Sequence, residues 1–384
     1  MKTFYKPEIE LADLFSRFGH ELGELPFSHQ KVMNDITSCR TSKLGGHLIR
    51  CDECEFKKNS YNSCRNRHCP KCQFITQLRW IDKRTKELLP CQYFHVVFTI
   101  PSELNPLILR NKSIGYDILF RAASETLKDV AENPKQLGAE IGFIGVLHTW
   151  AQNLVDHPHI HFIVPAGGLN KKKSKWIPCK KDFFLSVRVL SKVFRGKMLE
   201  KIEEAFHEGR LEFMGKIEYL KHFPNFKELL ITAASKEWVV YAKEPFNGPK
   251  QVINYLGQYT HRIAISNYRL VKIDGDKIHF KVRDRDNPKE KKILVLTVRE
   301  FLRRFLLHVL PKGYVRIRHF GLLGSRLKKQ NIKIARAIQG IVDTLVTGCP
   351  LDWKALLRQF TGLNPDQCPR CATGTLITMG IGPP

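Results

Sequence analysis

The sequence has no long hydrophobic run and comparatively few acidic residues. None of its apolar segments approaches the 18 or so residues that a membrane span needs, and no lipidation signal is evident. Residues 1–10 are polar, unlike a secretory leader, so we expect a cytoplasmic protein without a membrane partner. Only 37 Asp and Glu oppose 63 Lys and Arg, which gives a formal net charge of +26. This excess favours a polyanionic partner, and nucleic acid is the first candidate.

A phosphate-binding loop of the form G-x4-G-K-[ST] is also absent, so we expect no helicase within the chain. Opening of a duplex must then come from host replication or helicase functions. Eleven cysteines are present, and several form C-x2-C pairs. In a chain of this length, such pairs indicate metal ligands in a reducing compartment rather than a disulfide framework.

The 384 residues, 43% of them hydrophobic, can bury a substantial core, and the length is typical of two or three domains. The alternation of strand and helix periods predicts an α+β core with a mainly antiparallel sheet and flanking helices. Strands are predicted at 93–100, 141–148, 160–164 and 238–242, helices at 108–131, 187–206 and 249–260, and a strand meander from 269 to 296. We predict a helical segment and zinc-binding module in 1–85, the core in 86–268, and a basic region with a strand meander, helices and a C-x2-C tail in 269–384.

Two C-x2-C pairs with 14 residues between them predict a structural zinc ion, because four thiolates complete a tetrahedral shell and leave no open position. The predicted ligands are Cys51, Cys54, Cys69 and Cys72. A third pair near the C-terminus is half of another site. The alternative of a second zinc ion would use Cys64, His68, Cys368 and Cys371.

The motif His159-Ile160-His161 lies in an apolar segment that predicts a strand. Residues two apart on a strand point to the same face, so the two imidazoles can share one metal ion. The preceding strand is the natural source of a third ligand. We expect Gln152 in this role because a turn over residues 153–158 would place it opposite His159; His148 is the alternative. The expected ion is Mg²⁺ or Mn²⁺.

Tyr255 and Tyr259 are four residues apart, which on a helix brings both phenols to one side. Taken alone, such a pair is more often part of an aromatic core stripe. Beside a metal site in a highly basic chain, the pair indicates cleavage of a DNA strand by covalent attachment. A divalent ion would polarise the scissile phosphate, because a phenol with a pKa of about 10 is mostly protonated near neutral pH.

Several longer motifs resemble one family. They are Ser63-Cys-Arg-Asn-Arg-His-Cys-Pro-Lys-Cys-Gln73, His148-Thr-Trp-Ala-Gln-Asn153, His157-Pro-His-Ile-His161, Tyr255-Leu-Gly-Gln-Tyr-Thr-His-Arg262 and Leu310-Pro-Lys-Gly313. In this order they resemble the two-tyrosine HUH transposases of rolling-circle insertion sequences, which carry an N-terminal zinc-binding module. The resemblance spans about residues 10 to 371.

The resemblance implies an HUH endonuclease core. It implies a transposase that cleaves and rejoins single-stranded DNA at the element ends and target through 5′-phosphotyrosine links, with His159 and His161 as metal ligands and Tyr255 and Tyr259 as nucleophiles. A relaxase or replication initiator would use the same chemistry, and a zinc-containing DNA-binding regulator would use none. The sequence leaves open whether the protein is a homo-oligomer. Predicted DNA-binding residues are Lys172, Lys173, Arg262, Arg303, Arg304, Arg316, Arg318, Arg326 and Lys328, with Tyr314 and Phe320 available for base stacking.

Overall fold

The computed structural model describes residues 7–180, 184–243, 264–284, 290–341 and 351–382, together with positions 251, 253, 257, 260 and 287. Helices occupy Leu11–Phe18, Phe27–Ser38, Phe74–Lys86, Asn105–Arg110, Lys112–Glu132, Val187–His207, Phe223–Ser235, Val298–Leu307, Lys328–Ile338 and Trp353–Thr361. Strands are β1 (Gly46–Cys51), β2 (Lys57–Tyr61), β3 (Tyr93–Thr99), β4 (Gly142–Trp150), β5 (Asp156–Pro165), β6 (Gly167–Leu169), β7 (Trp176–Pro178), β8 (Val240–Lys243), β9 (Leu270–Asp274), β10 (Lys277–Arg283), β11 (Lys291–Thr297), β12 (Ile317–Gly321) and β13 (Leu376–Gly382). Within these ranges, we find no helix long and apolar enough to cross a bilayer.

The central element is a five-stranded sheet in the order β12-β4-β5-β3-β8. Every neighbouring pair in it is antiparallel. The sheet confirms the predicted α+β fold class with mainly antiparallel pairing. The strand β4 begins and ends close to its predicted bounds, whereas β5 starts four residues earlier than predicted and includes Pro158.

The two faces of this sheet differ because side chains alternate along each strand. One face carries Phe98, Phe143 and Phe162, whose rings pack edge to face at centroid distances of 5.2 to 5.7 Å. The helix Val187–His207 covers this face through Phe194, 5.0 Å from Phe98. The opposite face carries the histidines of β3, β4 and β5. One face is thus buried in the main core, whereas the other carries the histidines together with Ile144 and Ile163, which belong to two smaller hydrophobic clusters.

The predicted helix over residues 108–131 is two helices that are separated at Asn111. The Asn111 side chain donates to the Leu107 carbonyl and accepts from the Glu212 backbone N–H at 2.8 Å. This residue therefore ties the helix break to a distant loop, a contact that helical periodicity cannot show. The predicted meander is confirmed as β9-β10-β11, with a turn in which Gly275 has a φ of 58°.

Contacts connect the three predicted regions. Phe15, near the start of the chain, packs against Phe305 with ring centroids 5.8 Å apart. One hydrophobic cluster includes Leu11, Phe94 and Phe305. The strand β13 pairs with β1, so a segment near the end of the chain completes a sheet in the cysteine-rich region. The division at residues 85 and 268 remains a prediction, while the buried core is continuous across both positions.

Candidate functional site

Three histidines meet on the face of the central sheet that is opposite the phenylalanines. His159 and His161 alternate along β5, and His148 pairs directly with His159 from β4. One ligand atom from each imidazole lies within 4.8 Å of the other two. The rings of His148 and His161 have centroids 4.3 Å apart. The sheet register therefore builds a candidate metal centre from two adjacent strands.

The register on which we based the Gln152 prediction is wrong. The β4-β5 turn comes earlier than predicted, because Trp150 already pairs with Asp156. Gln152 consequently lies in the turn with an exposed side chain. His148, the alternative, is only 3% exposed and is the residue that joins the two predicted ligands.

Hydrogen bonds orient two of the three rings and fix the proton position of His159. The Nδ1 of His159 lies 2.6 Å from the His157 carbonyl oxygen, which can only accept, so this nitrogen carries the proton. The Nδ1 of His161 is 2.7 Å from the Nε2 of His95, a buried residue of β3. Second partners of this kind orient imidazole ligands. The Nε2 of His159 is left for a metal ion, and so is the Nε2 of His161 in the tautomer whose Nδ1 donates to His95.

Burial keeps these imidazoles neutral. It lowers the pKa of His159 to about 4. The pKa of His161 is held well below its ordinary value by burial and by the neighbouring His148. Neutral imidazole is the form that binds a metal, so both side chains are ready to coordinate near neutral pH.

Cationic and aromatic side chains hold the turn beside this centre. Arg269 donates to the Gln152 carbonyl at 2.5 Å, and Arg304 donates to the Asn153 carbonyl at 3.1 Å. The buried His308 donates to the Leu154 carbonyl and contacts Thr149 through its other nitrogen. These contacts satisfy the carbonyls of a tight turn and so stabilise the early register of the hairpin.

The cysteines form two clusters, each of four thiols, in a combination that differs from the prediction. The pairs Cys51/Cys54 and Cys69/Cys72 do not share a site. The first cluster is Cys39, Cys64, Cys69 and Cys72, and the second is Cys51, Cys54, Cys368 and Cys371. Either set offers the four sulfurs that a structural zinc ion needs.

The predicted second site with His68 is therefore also wrong in composition. His68 is 5% exposed and hydrogen-bonds Asn66 through Nδ1, while its Nε2 accepts from the Leu310 backbone N–H. Both nitrogens are thus used within the fold, and burial lowers the pKa of this residue to about 3.

Sequence reasoning missed two residues of these sites, Cys39 and His95. Cys39 follows the helix Phe27–Ser38 and belongs to no C-x2-C pair. Its role could have been inferred by counting: once the tail pair is matched with Cys51 and Cys54, the Cys69/Cys72 pair still needs two sulfurs. No local signal identifies His95, because it reaches His161 only through strand pairing.

The predicted DNA-binding residues divide into exposed and internally bonded groups. The structure contradicts the prediction for Arg316. Its side chain is 8% exposed and donates to the Thr260 carbonyl inside the fold. Arg318 pairs with Asp117 and lies over the Phe120 ring, and Lys328 pairs with Glu87. Lys172 and Arg326 are exposed. Arg303 and Arg304 both pair with Glu300, and Lys173 donates to Asn331.

The two aromatic residues offered for base stacking are also engaged. Tyr314 is 7% exposed and hydrogen-bonds Asp117, and Phe320 packs on Phe143. Base stacking requires an accessible ring, so neither residue suits it as folded.

Tyr255, Tyr259 and Arg262 lie outside the described residues. The described neighbours Ile253, Gly257 and Thr260 are helical and buried. Ile253 belongs to a small hydrophobic cluster with Ile163, the residue two positions beyond His161 on the same face of β5.

An antiparallel sheet with a group of three histidines, accompanied by two four-cysteine clusters, is typical of metal-binding proteins of the α+β class. Comparison with known proteins identifies it further. A family model described as "Putative transposase" matches residues 142–331, and one described as "Transposase zinc-binding domain" matches residues 11–100. No solved structure matches.

Two relatives extend over nearly the whole chain. "Putative transposase y4qJ" of Sinorhizobium fredii is 44% identical over 98% of this chain and 97% of its own length. "Transposase for insertion sequence element IS801" of Pseudomonas savastanoi pv. phaseolicola is 26% identical over 94% of this chain and 86% of its own length. The chain belongs to the IS91-type transposases with an N-terminal zinc-binding domain, whose elements transpose by a rolling-circle route.

Proposed function

We propose that this transposase cleaves and rejoins single-stranded DNA at the ends of its element through 5′-phosphotyrosine links. The observation that carries the proposal is the histidine centre: three imidazoles share one side of the sheet, and two of them have Nδ1 occupied by a hydrogen bond. Three nitrogen ligands leave further positions open for water and phosphate oxygens, as catalytic metal sites require.

The ligand set also favours one ion over another. Imidazole nitrogen suits transition metals, whereas Mg²⁺ prefers oxygen ligands. Of the two expected ions, Mn²⁺ therefore fits His148, His159 and His161 better. When bound, such an ion would polarise the scissile phosphate. His95 is a positioning residue, because its contact with His161 fixes the orientation of that ligand.

The nucleophiles proposed are Tyr255 and Tyr259. Their support is the sequence motif together with the described neighbour Ile253, which shares a hydrophobic cluster with Ile163 beside the histidine centre. In the first step, the phenolic oxygen of one tyrosine forms a bond to phosphorus while the bond from phosphorus to the 3′ oxygen breaks. The phenol loses its proton and the 3′ oxygen gains one. The link preserves the bond energy for rejoining, and the second tyrosine can cleave another strand meanwhile.

A basic surface beside the sheet is a candidate path for the strand. Lys173 reaches Asn331 at 3.0 Å, so the loop 170–175 lies against the helix Lys328–Ile338. Exposed cations of this surface are Lys171, Lys172, Lys175, Arg326, Lys329 and Lys333. Neutralising phosphates at such a surface strengthens binding in a salt-dependent manner.

The test is a covalent adduct assay. The full chain is incubated with single strands from the element ends and MnCl₂, and the products are separated under denaturing conditions. We expect a protein–DNA adduct that depends on the metal and maps to Tyr255 or Tyr259. Tyr255→Phe/Tyr259→Phe should abolish it while DNA binding persists, since only two hydroxyls are removed. Tyr268→Phe is the matched control, because Tyr268 is 55% exposed and close in sequence.

Two outcomes would contradict the proposal: an adduct that persists in the double variant, or one that forms undiminished in excess chelator. A DNA-binding regulator would shift the strands in a native gel and never become attached to them. A relaxase or replication initiator would form the adduct on its own origin and leave the element ends uncut.

A further inference from the structure

The second cysteine cluster joins two distant parts of the chain. Cys51 and Cys54 flank the end of β1, while Cys368 and Cys371 precede β13. We propose that these four residues hold a zinc ion of their own, which fastens the C-terminal segment 351–382 to the N-terminal module. The proposal is independent of the nuclease chemistry.

The sulfur positions match a tetrahedral zinc site. The Sγ atoms of Cys51 and Cys371 are 3.7 Å apart, and so are those of Cys54 and Cys368. Four sulfurs at 2.3 Å from a central zinc ion lie about 3.8 Å from one another. A disulfide would need about 2.05 Å. These two distances fit a zinc site with four thiolates, and all four sulfurs lie within 4.8 Å of one another.

Backbone donors point at the sulfurs, as a charged thiolate requires. Each of three cysteines accepts from an N–H two or three residues further along the chain. The donors are Glu53 to Cys51 at 3.4 Å, Arg370 to Cys368 at 3.4 Å, and Gly374 to Cys371 at 3.3 Å. The same local pattern on both sides makes each pair a knuckle, in which a tight turn presents two sulfurs to one ion.

The two knuckles also fit closely against each other. A Cβ at Gly374 would lie 2.3 Å from the Sγ of Cys51, so only glycine permits this approach. The Thr375 backbone N–H donates to the Asp52 carboxylate at 2.7 Å. From there β13 pairs with β1 as far as Gly46 and Gly382. The ion would therefore lie where β1 ends and β13 begins.

Two of the four ligands lie outside the matched zinc-binding domain, which ends at residue 100. Cys51 and Cys371 are 320 positions apart. Bringing such distant segments together has an entropic cost that grows with the length of the loop, and a bound ion offsets it. We expect β13 to leave β1 when the ion is lost, while the first cluster keeps its own zinc.

The test is a zinc count on the full chain with a proteolysis assay. All samples carry His159→Ala, so that zinc bound at the histidine centre does not contribute. We expect two zinc ions per chain in the parent and one in Cys368→Ser/Cys371→Ser. In that variant, limited proteolysis should release the segment beyond residue 350 much faster than in the parent. The matched control is Cys91→Ser/Cys179→Ser, which removes two cysteines outside both clusters and should retain two ions.

A conservative variant keeps the test decisive if the serine variant fails to fold. Cys371→His retains a zinc-binding side chain, so it should keep two ions, whereas Cys371→Ser alone should lose one. An unchanged zinc count in both serine variants would overturn the proposal. The proposal would also be overturned if the C-terminal segment were equally resistant to protease in chains with one zinc ion and in chains with two.

Discussion

The identity of the third histidine ligand gives a sharp test of the sheet register. We predict that His148→Ala greatly weakens binding of Mn²⁺, whereas Gln152→Ala leaves it unchanged. His148 is buried opposite His159, and one of its ring nitrogens lies within 4.8 Å of the ligand atoms of the other two histidines. The Gln152 side chain is exposed in the turn, and the hydrogen bond that the residue makes with Arg269 uses its backbone carbonyl, which alanine retains.

The size of the effect on metal affinity depends on whether a residue binds the ion itself or only orients a ligand. Loss of a partner that only orients a ligand weakens metal binding by about 10 to 100-fold. For His95→Phe, which removes the 2.7 Å hydrogen bond with His161, we expect a loss in this range, or about 1.4 to 2.7 kcal/mol. Loss of a ligand itself should exceed it, so His148→Ala should cost more than about 100-fold. Gln152→Ala should stay within about twofold, since no ligand or orienting partner changes.

The assay is calorimetric titration of MnCl₂ into the full chain after removal of loosely bound metal, with no DNA present. Circular dichroism and zinc content serve as controls, because His148 also packs against Trp150 at a ring distance of 4.8 Å. Equal weakening by Gln152→Ala and His148→Ala in folded proteins would refute the register argument. An unchanged affinity in His148→Ala would refute the three-histidine centre.

Other predictions concern binding and stability. Lys172→Ala/Arg326→Ala should weaken binding to a single-stranded oligonucleotide, measured by fluorescence anisotropy. The slope of log affinity against log salt should become shallower by about 0.7 for each phosphate that is no longer neutralised. An unchanged slope would argue against DNA binding at this surface. Burial raises the pKa of Asp156 to about 7 against an ordinary 3.8, so its carboxylate lowers stability increasingly as pH rises from about 4 to 7. Asp156→Asn should therefore raise the free energy of unfolding by about 2 kcal/mol more at pH 8 than at pH 5.5, measured by urea denaturation. An equal increase in the free energy of unfolding at the two pH values would contradict this prediction. Phe305→Ala should lower the free energy of unfolding by about 3 to 5 kcal/mol, because Phe305 is fully buried against Phe15. A decrease below about 1 kcal/mol in the same urea assay would show that this packing does not hold the N-terminal helix.

Four of the five strands of the central sheet could be predicted because their apolar patterns are local, whereas the edge strand β12, in a segment rich in cations, was not predicted. The position of the hairpin turn could not, since it depends on three distant side chains that hold its carbonyls. Arg269, Arg304 and His308 all lie more than 100 residues from the turn. A shift of the turn by a few residues exchanges Gln152 for His148 at the candidate metal centre. Tertiary contacts therefore decide which of the two residues lies beside His159 and His161.

The cysteines show the same limit. Spacing correctly indicated zinc-type knuckles, and the family comparison bears out a zinc-binding domain. Which knuckles share an ion depends on the pairing of β13 with β1, which no local pattern predicts. Arg316 is a parallel case: its sequence context is basic and suggested DNA binding, whereas its side chain is buried and bonded to Thr260.

We propose that a metal held by His148, His159 and His161 supports attack on DNA by Tyr255 or Tyr259. The most direct measurement is mass-spectrometric mapping of the nucleotide-linked peptide after incubation with element-end single strands and Mn²⁺. We expect a modified Tyr255 or Tyr259 in the parent chain and no modified peptide in His148→Ala or His161→Ala. The proposal would be contradicted by a nucleotide attached to any other residue. It would also be contradicted if both histidine variants gave as much adduct as the parent chain.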